Sequence, residues 1–319
     1  MKSIEVDYGK RCADEPDKGH NRWHPDIPPA LEVEAGEEVV LQTRDALDGQ
    51  LGPDSTASDL GNVDRNLVHA LTGPAFVKGA RPGDLLEIEI MEIEPARWGF
   101  TSILPGFGFL RDLFLEPFLV KWSIDGKSAE SPDLPDVRIP AAPFMGTIGV
   151  APSHELRKEA LHRERGAAER GGIALPPEPE GAVPSQEPVA SEGLRTMPPR
   201  ENGGNLDIKQ LTAGTRLFCP VFVEGALFSV GDGHFAQGDS ECCGTAVEMA
   251  CTVSVRFRVR EGEAEGRGIR YPMFGADDYY TSPEMAAPRR FLATTGMPIA
   301  DGVNESENVT LAARQALLN

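Results

Sequence analysis

Apolar and charged residues alternate along two stretches of this chain. Leu85-Leu86-Glu87-Ile88-Glu89-Ile90-Met91-Glu92-Ile93 sets aliphatic side chains against acidic ones, and Val253-Ser254-Val255-Arg256-Phe257-Arg258-Val259 does the same with basic partners. A period of two marks a half-buried strand, because successive side chains on extended backbone point to opposite faces. Val39–Thr43 reads as a short strand, and Leu217–Val223 is an apolar run of strand length. Gly36, Gly83 and Gly214 stand just ahead of such runs, and the 34 glycines and 27 prolines favour many short strands joined by turns over a helical bundle. The expected fold is all-β, β-sandwich-like with long loops, its core drawn from segments near 30–93, 139–151 and 214–260.

The pattern changes at 152–200. Ser153 to Arg170 is rich in Glu, Arg, Ala and Leu and predicts a polar helix ending at Gly171-Gly172. The prolines from Pro176 to Pro199 then resist regular structure. This stretch reads either as a linker between domains or as a helical excursion from one domain. Asn308 to Leu318 predicts a further helix, and a short tail closes the chain at Asn319.

A length of 319 residues is enough for a sizeable core. A net charge of −19 argues against nucleic acid or an anionic membrane as partner. No apolar run approaches bilayer length, and no signal-peptide pattern opens the chain. Five scattered cysteines, at 12, 219, 242, 243 and 251, predict reduced thiols and a cytoplasmic protein.

The densest chemistry lies in Gly231-Asp232-Gly233-His234-Phe235-Ala236-Gln237-Gly238-Asp239-Ser240-Glu241. Asp232 and His234 are two apart, as are Asp239 and Glu241, so on extended backbone each pair would face a common centre. His, Asp and Glu suit zinc or another divalent metal and also serve acid–base catalysis. The same residues would equally suit a Gly/Asp-rich hairpin holding one satisfied histidine.

Taken with Cys243-Gly244-Thr245-Ala246-Val247-Glu248, this segment resembles the signature block of the acetamidase/formamidase family. Three further blocks resemble that family in the same order: His20–Pro29, Leu71–Leu86 and Arg195–Lys209. Because matching blocks flank 152–200, the expectation is one domain over 1–319, with 152–200 as a loop and helix insertion. The resemblance implies a further helical segment and a closing strand beyond the helix at 308–318, where this chain ends. It also implies an amidohydrolase that cleaves formamide, acetamide or another small aliphatic amide to ammonia and a carboxylate, working as a homodimer or higher homo-oligomer.

Amide hydrolysis needs an activated water or nucleophile, a polarised carbonyl and a proton for the leaving ammonia. A divalent metal, zinc above all, supplies the first two. His234 is the expected ligand, with Asp207, Asp45 and Glu241 as its companions. Glu241 and Asp239 are candidates for proton transfer. Cys243 is a candidate nucleophile, although a small buried thiol is the plainer reading, and the resemblance implies that the acetamidase branch can carry serine there. His20, Gln237 and Asn205 are candidates for contact with substrate. His24 ranks below His20, since Pro25 prevents the two histidines from sharing a helical face. The rival class is a non-catalytic, metal-stabilised β-sandwich module. An enzyme of the same fold acting on a different C–N bond is the narrower rival.

Overall fold

A computed structural model describes residues 2–169, 176–276, 296, 299–300, 303–304 and 308–318. Two sheets dominate it. The first has six strands, ordered Lys2–Ile4, Glu38–Thr43, Cys251–Arg260, Leu85–Pro95, Arg216–Pro220 and Met273–Gly275. The second has eleven. At its middle, Phe228–His234 pairs with Phe144–Gly149 on one side and with Leu71–Val77 and Glu248–Met249 on the other. Leu41, Ile88, Val253 and Phe257 of the first sheet share one apolar core with Phe144, Ile148, Phe228 and Val230 of the second. Phe228 and Phe257 meet edge to face across it, their centroids 5.0 Å apart. The fold is thus all-β and sandwich-like, as the alternating runs predicted.

The alternation in Leu85–Pro95 changes phase once. Leu86, Ile88 and Ile90 are buried, and so is Ile93. The pairing with Cys251–Arg260 shifts register between Ser254 and Val255, where Ile90 faces Val255 and Glu92 faces Ser254. Met91 is the extra residue of a β-bulge, and it switches which face carries the aliphatic side chains. Glu87 is buried rather than solvated, and Arg260 (2.7 Å), Arg216 (3.4 Å) and Arg258 (3.9 Å) surround its carboxylate.

Within 152–200, His154–Glu169 is helical. Ser153 Oγ accepts from the Leu156 amide and caps its first turn. Ala160 packs with Trp23, Leu71 and Leu194, which ties the helix to the amino-terminal arm. Leu194–Arg195 pairs with Arg22–Trp23. Among the described residues, no helix is long and apolar enough to cross a membrane.

Replacing Phe257 with Ala removes a ring that links the two sheets. The expected loss of stability is about 3–5 kcal/mol, read from the chemical denaturation midpoint. A loss below about 1 kcal/mol would mean that the inter-sheet core is not where the fold draws its stability.

Candidate active site

All seven residues of Phe228–His234 are buried. Its glycines answer to close neighbours: a Cβ on Gly231 would lie 2.4 Å from the Ala70 carbonyl oxygen, and one on Gly233 would lie 2.6 Å from Cys251 Sγ. Between them, Asp232 and His234 turn to a common side. His234 Nε2 lies 3.2 Å from Asp232 Oδ1 and 3.3 Å from Glu248 Oε2. Glu248 is placed by antiparallel pairing directly opposite His234.

Gly146 opens the space for this cluster. A Cβ there would lie 2.5 Å from Asp232 Oδ2, 2.8 Å from Asp207 Oδ1 and 2.9 Å from His234 Cε1. Its carbonyl accepts from the Leu206 and Asp207 amides, which brings the Asp207 side chain into the same space. Glu241 completes the group: Asp207, His234 and Glu241 lie close enough to share an ion, as do Asp232, His234 and Glu248.

The histidine tautomer follows from its partners. Gln237 Nε2 donates to the Asp207 carbonyl at 3.0 Å, so its Oε1 faces His234 Nδ1, also at 3.0 Å. Nδ1 therefore carries the hydrogen, and Nε2 points at the carboxylates either protonated or with a free lone pair.

Four carboxylates around one imidazole cannot all hold full charge without a compensating cation. Burial first, then Asp232, raises Asp207 to about 7. Burial and Asp207 raise Glu241 to about 9. Burial, opposed by His234 and supported by Asp232, raises Glu248 to about 7. Against the penalty of burial, His69 and His234 hold Asp232 below the usual carboxylate range. His234 is raised well above its ordinary value, because Glu248 and Asp232 outweigh the burial that opposes its charge. Asp207 Oδ1 is buried without a hydrogen-bond partner, and Glu248 Oε2 is buried against His234 Nε2 at 3.3 Å.

Asp207, Asp232, Glu241 and Glu248 line one end of a cavity of about 210 Å³, together with His69 and Asn205. Thr196 Oγ1 accepts from the His69 amide at 2.6 Å, so its own hydrogen is free to point at His69 Nδ1, 3.3 Å away. That leaves His69 Nε2–H, 3.9 Å from Asp232 Oδ2, facing the cluster. Thr147 Oγ1 reaches both Asp232 Oδ2 (3.0 Å) and Asn205 Oδ1 (2.9 Å).

Of the residues expected at the site, His234, Asp207, Glu241 and Asn205 are brought together. Asp45 is not among them. It is buried, but Leu47 N and Gly49 N take its two oxygens, so it stabilises a turn. Asp239 does not face the same centre as Glu241 either. Residues 239–241 form a 3₁₀ turn with Ser240 and Glu241 in the left-handed region, which sends Asp239 outward to Lys209. Gln237 spends both its polar atoms on His234 and the Asp207 backbone instead of on a substrate. His20 is buried against Ser229 Oγ (2.7 Å) and the edge of Trp23. The Cys243 thiol lies 3.3 Å from the Thr245 carbonyl and lines a separate apolar hollow with Phe107, Phe114 and Leu317.

Glu248, His69 and Gly146 lie outside the residues expected from sequence, and Asp232, paired there with His234, is given no role. The Gly-Asp-Gly-His alternation held the signal for Asp232. Glu248 stood in the matched block but fourteen residues from His234. His69 and Gly146 come from distant segments and carried no local signal.

Comparisons with known proteins identify the family. The family model described as "Acetamidase/Formamidase family" matches residues 5–319. An acetamidase of Mycolicibacterium smegmatis is 36% identical over 347 residues, covering 99% of this chain and 84% of the relative. A formamidase of Methylophilus methylotrophus is 35% identical over 340 residues, covering 100% and 82%. Among solved structures, a gamma lactamase from Delftia acidovorans superposes with a TM-score of 0.92 at 37% identity, covering 100% of this chain and 82% of that one. An acetamidase from Bacillus halodurans gives 0.64 at 28% identity, covering 82% and 73%. The chain belongs to the acetamidase/formamidase family, hydrolases that act on the C–N bonds of linear amides.

Proposed function

We propose that this protein hydrolyses a small aliphatic amide, of the kind named by formamide and acetamide, to ammonia and a carboxylate at the Asp207, Asp232, His234, Glu241 and Glu248 cluster. The observation that carries this reading is the crowding of four carboxylates, two buried and two half-buried, on one histidine beside a cavity, with Asp207 Oδ1 lacking a hydrogen-bond partner. The donor set fits a divalent cation: one imidazole nitrogen and carboxylate oxygens, in a cradle that a single Cβ at position 146 would fill. His234 Nε2 would hold it together with carboxylate oxygens drawn from the Asp207, Asp232, Glu241 and Glu248 group. When bound, such an ion, zinc in this reading, supplies Lewis acidity toward a carbonyl and acidifies water.

The chain's own groups do the rest. Gln237 holds His234 in the tautomer that presents Nε2 to the cluster. His69 Nε2–H is placed to donate to the carbonyl oxygen as negative charge develops there. Glu241, in its ionised form, takes a proton from the attacking water and returns it to the leaving nitrogen, so that amide and water become carboxylate and ammonium. The free state of all five cysteines supports a reducing, cytoplasmic setting. Exposed Leu113, Phe114, Leu115 and Phe118 support a homo-oligomeric contact.

Three outcomes test this. The first concerns pH. Acids raised to about 7 and about 9 keep protons that the unfolded chain, with carboxyl values near 4, has already released. Above about pH 7, where His20, His24 and His69, all lowered by burial, are neutral in both states, the cation-free folded state binds more protons than the unfolded one, so its stability falls as pH rises toward 9. The Tm in chelator should therefore drop from pH 7 to pH 9, with a shallower slope for Glu241→Gln. A Tm that climbs over this range, or equal slopes, would contradict the assignment.

The second concerns Gly146→Ala. The added methyl meets the carboxylates and imidazole, and cation affinity should fall roughly 10–100-fold as measured by titration calorimetry. Unchanged affinity would place the ion elsewhere.

The third separates roles. His234→Ala should abolish both activity and cation content. Glu241→Gln should lower turnover by roughly 10²–10⁴ with the cation retained if Glu241 moves protons, or lose the cation too if it is a ligand. A Glu241→Gln enzyme at full turnover would remove Glu241 from the scheme. Cys243→Ser should stay active, and a dead Cys243→Ser enzyme with its cation in place would favour a thiol nucleophile.

A further inference from the structure

The cavity has two unlike ends. Acids form one. The other is walled by Leu47, Val68, Phe100, Leu104, Phe107 and Met197, with Arg65 also in the lining, its guanidinium 4.5 Å over the Phe107 ring. These side chains belong to a hydrophobic cluster separate from the core between the sheets. Phe100 is fully buried on the strand Trp98–Ile103, and Leu47 lies in the turn that Asp45 stabilises. The walls are therefore fixed by packing behind them, and do not collapse onto the acids.

Size decides what such a space accepts. The cavity measures about 210 Å³. An apolar cavity of about 150 Å³ already holds a benzene ring, while drug-sized ligands occupy pockets of roughly 300 Å³ or more. Formamide carries no carbon on its carbonyl, and acetamide only a methyl. Either would fill the acidic end alone and leave the aliphatic walls against water that has few partners there.

We propose that the preferred substrates of this site are amides whose acyl group is a branched or cyclic hydrocarbon of about four to seven carbons, seated against Leu47, Val68, Phe100 and Met197 with the carboxamide over the acids. The proposal rests on the amidase reading and adds to it the chemistry of the acyl side. Discrimination comes from area removed from water, so it grows with each methylene and demands no new polar contact.

The test is a series of formamide, acetamide, isobutyramide and cyclohexanecarboxamide, with kcat/KM measured for the native enzyme and dissociation constants measured by calorimetry on Glu241→Gln. Each buried methylene should raise kcat/KM about fourfold, so that cyclohexanecarboxamide exceeds acetamide by about a hundredfold or more, and affinities should follow the same order. Met197→Trp, which narrows the apolar end at a partly exposed position, should lower the cyclohexanecarboxamide to acetamide ratio about tenfold or more. If acetamide or formamide is turned over best and the ring amide binds no more tightly, the proposal is overturned while the amidase reading stands. If no amide is hydrolysed but cyclohexanecarboxamide still binds more tightly than acetamide, the amidase reading falls and the apolar acyl subsite remains. Absence of both turnover and binding removes both.

Discussion

The absence of a side chain at Gly146 is the constraint on which the site depends. Strand Phe144–Gly149 pairs alongside the strand that carries Asp232 and His234, and any Cβ at position 146 would lie within 3 Å of Asp232, Asp207 and His234 together. Real Cβ atoms do not approach other heavy atoms so closely. The glycine therefore sets the depth to which two aspartates and a histidine sink into the sheet, where burial raises the cost of every unpaired charge. That cost gives the site its demand for protons or for a cation.

The fold supplies this demand at the middle of a sheet, where the backbone has little freedom to relax. Phe228–His234 has neighbours on both sides, and glycines at 231 and 233 let Ala70 and Cys251 come close. Glu248 is delivered by ladder pairing, Asp207 by the turn that hydrogen-bonds to Gly146, and Glu241 by a tight 3₁₀ turn. Three kinds of local structure thus fix the directions of the carboxylates, and Gln237 fixes the imidazole between them. The apolar wall opposite is held by packing rather than by hydrogen bonds.

Sequence pattern carried the fold because a period of two survives in Leu85–Ile93 and Val253–Val259, and even the bulge at Met91 leaves aliphatic residues on the core face. It carried His234 because a histidine between glycines in an acidic stretch is a local signal. It could not place Asp239, since the rule that residues two apart share a face holds only on extended backbone, and Ser240 and Glu241 adopt left-handed angles. Nor could it distinguish Asp45 from Asp207: both follow turn-forming patterns, and only the tertiary approach of Gly146 selects the second. His69 reaches the cluster through a hydrogen bond to Thr196, 127 residues away, a contact that no local window contains.

The central claim is that the cluster around His234 holds a divalent cation. An anomalous difference map at the zinc edge, from crystals of the full chain grown with zinc, tests it most directly. The expected result is a peak at about 2.0–2.2 Å from His234 Nε2 and from carboxylate oxygens of the Asp207, Asp232, Glu241 and Glu248 group. A map with no peak there, and with the carboxylates paired through protons or water instead, would contradict it.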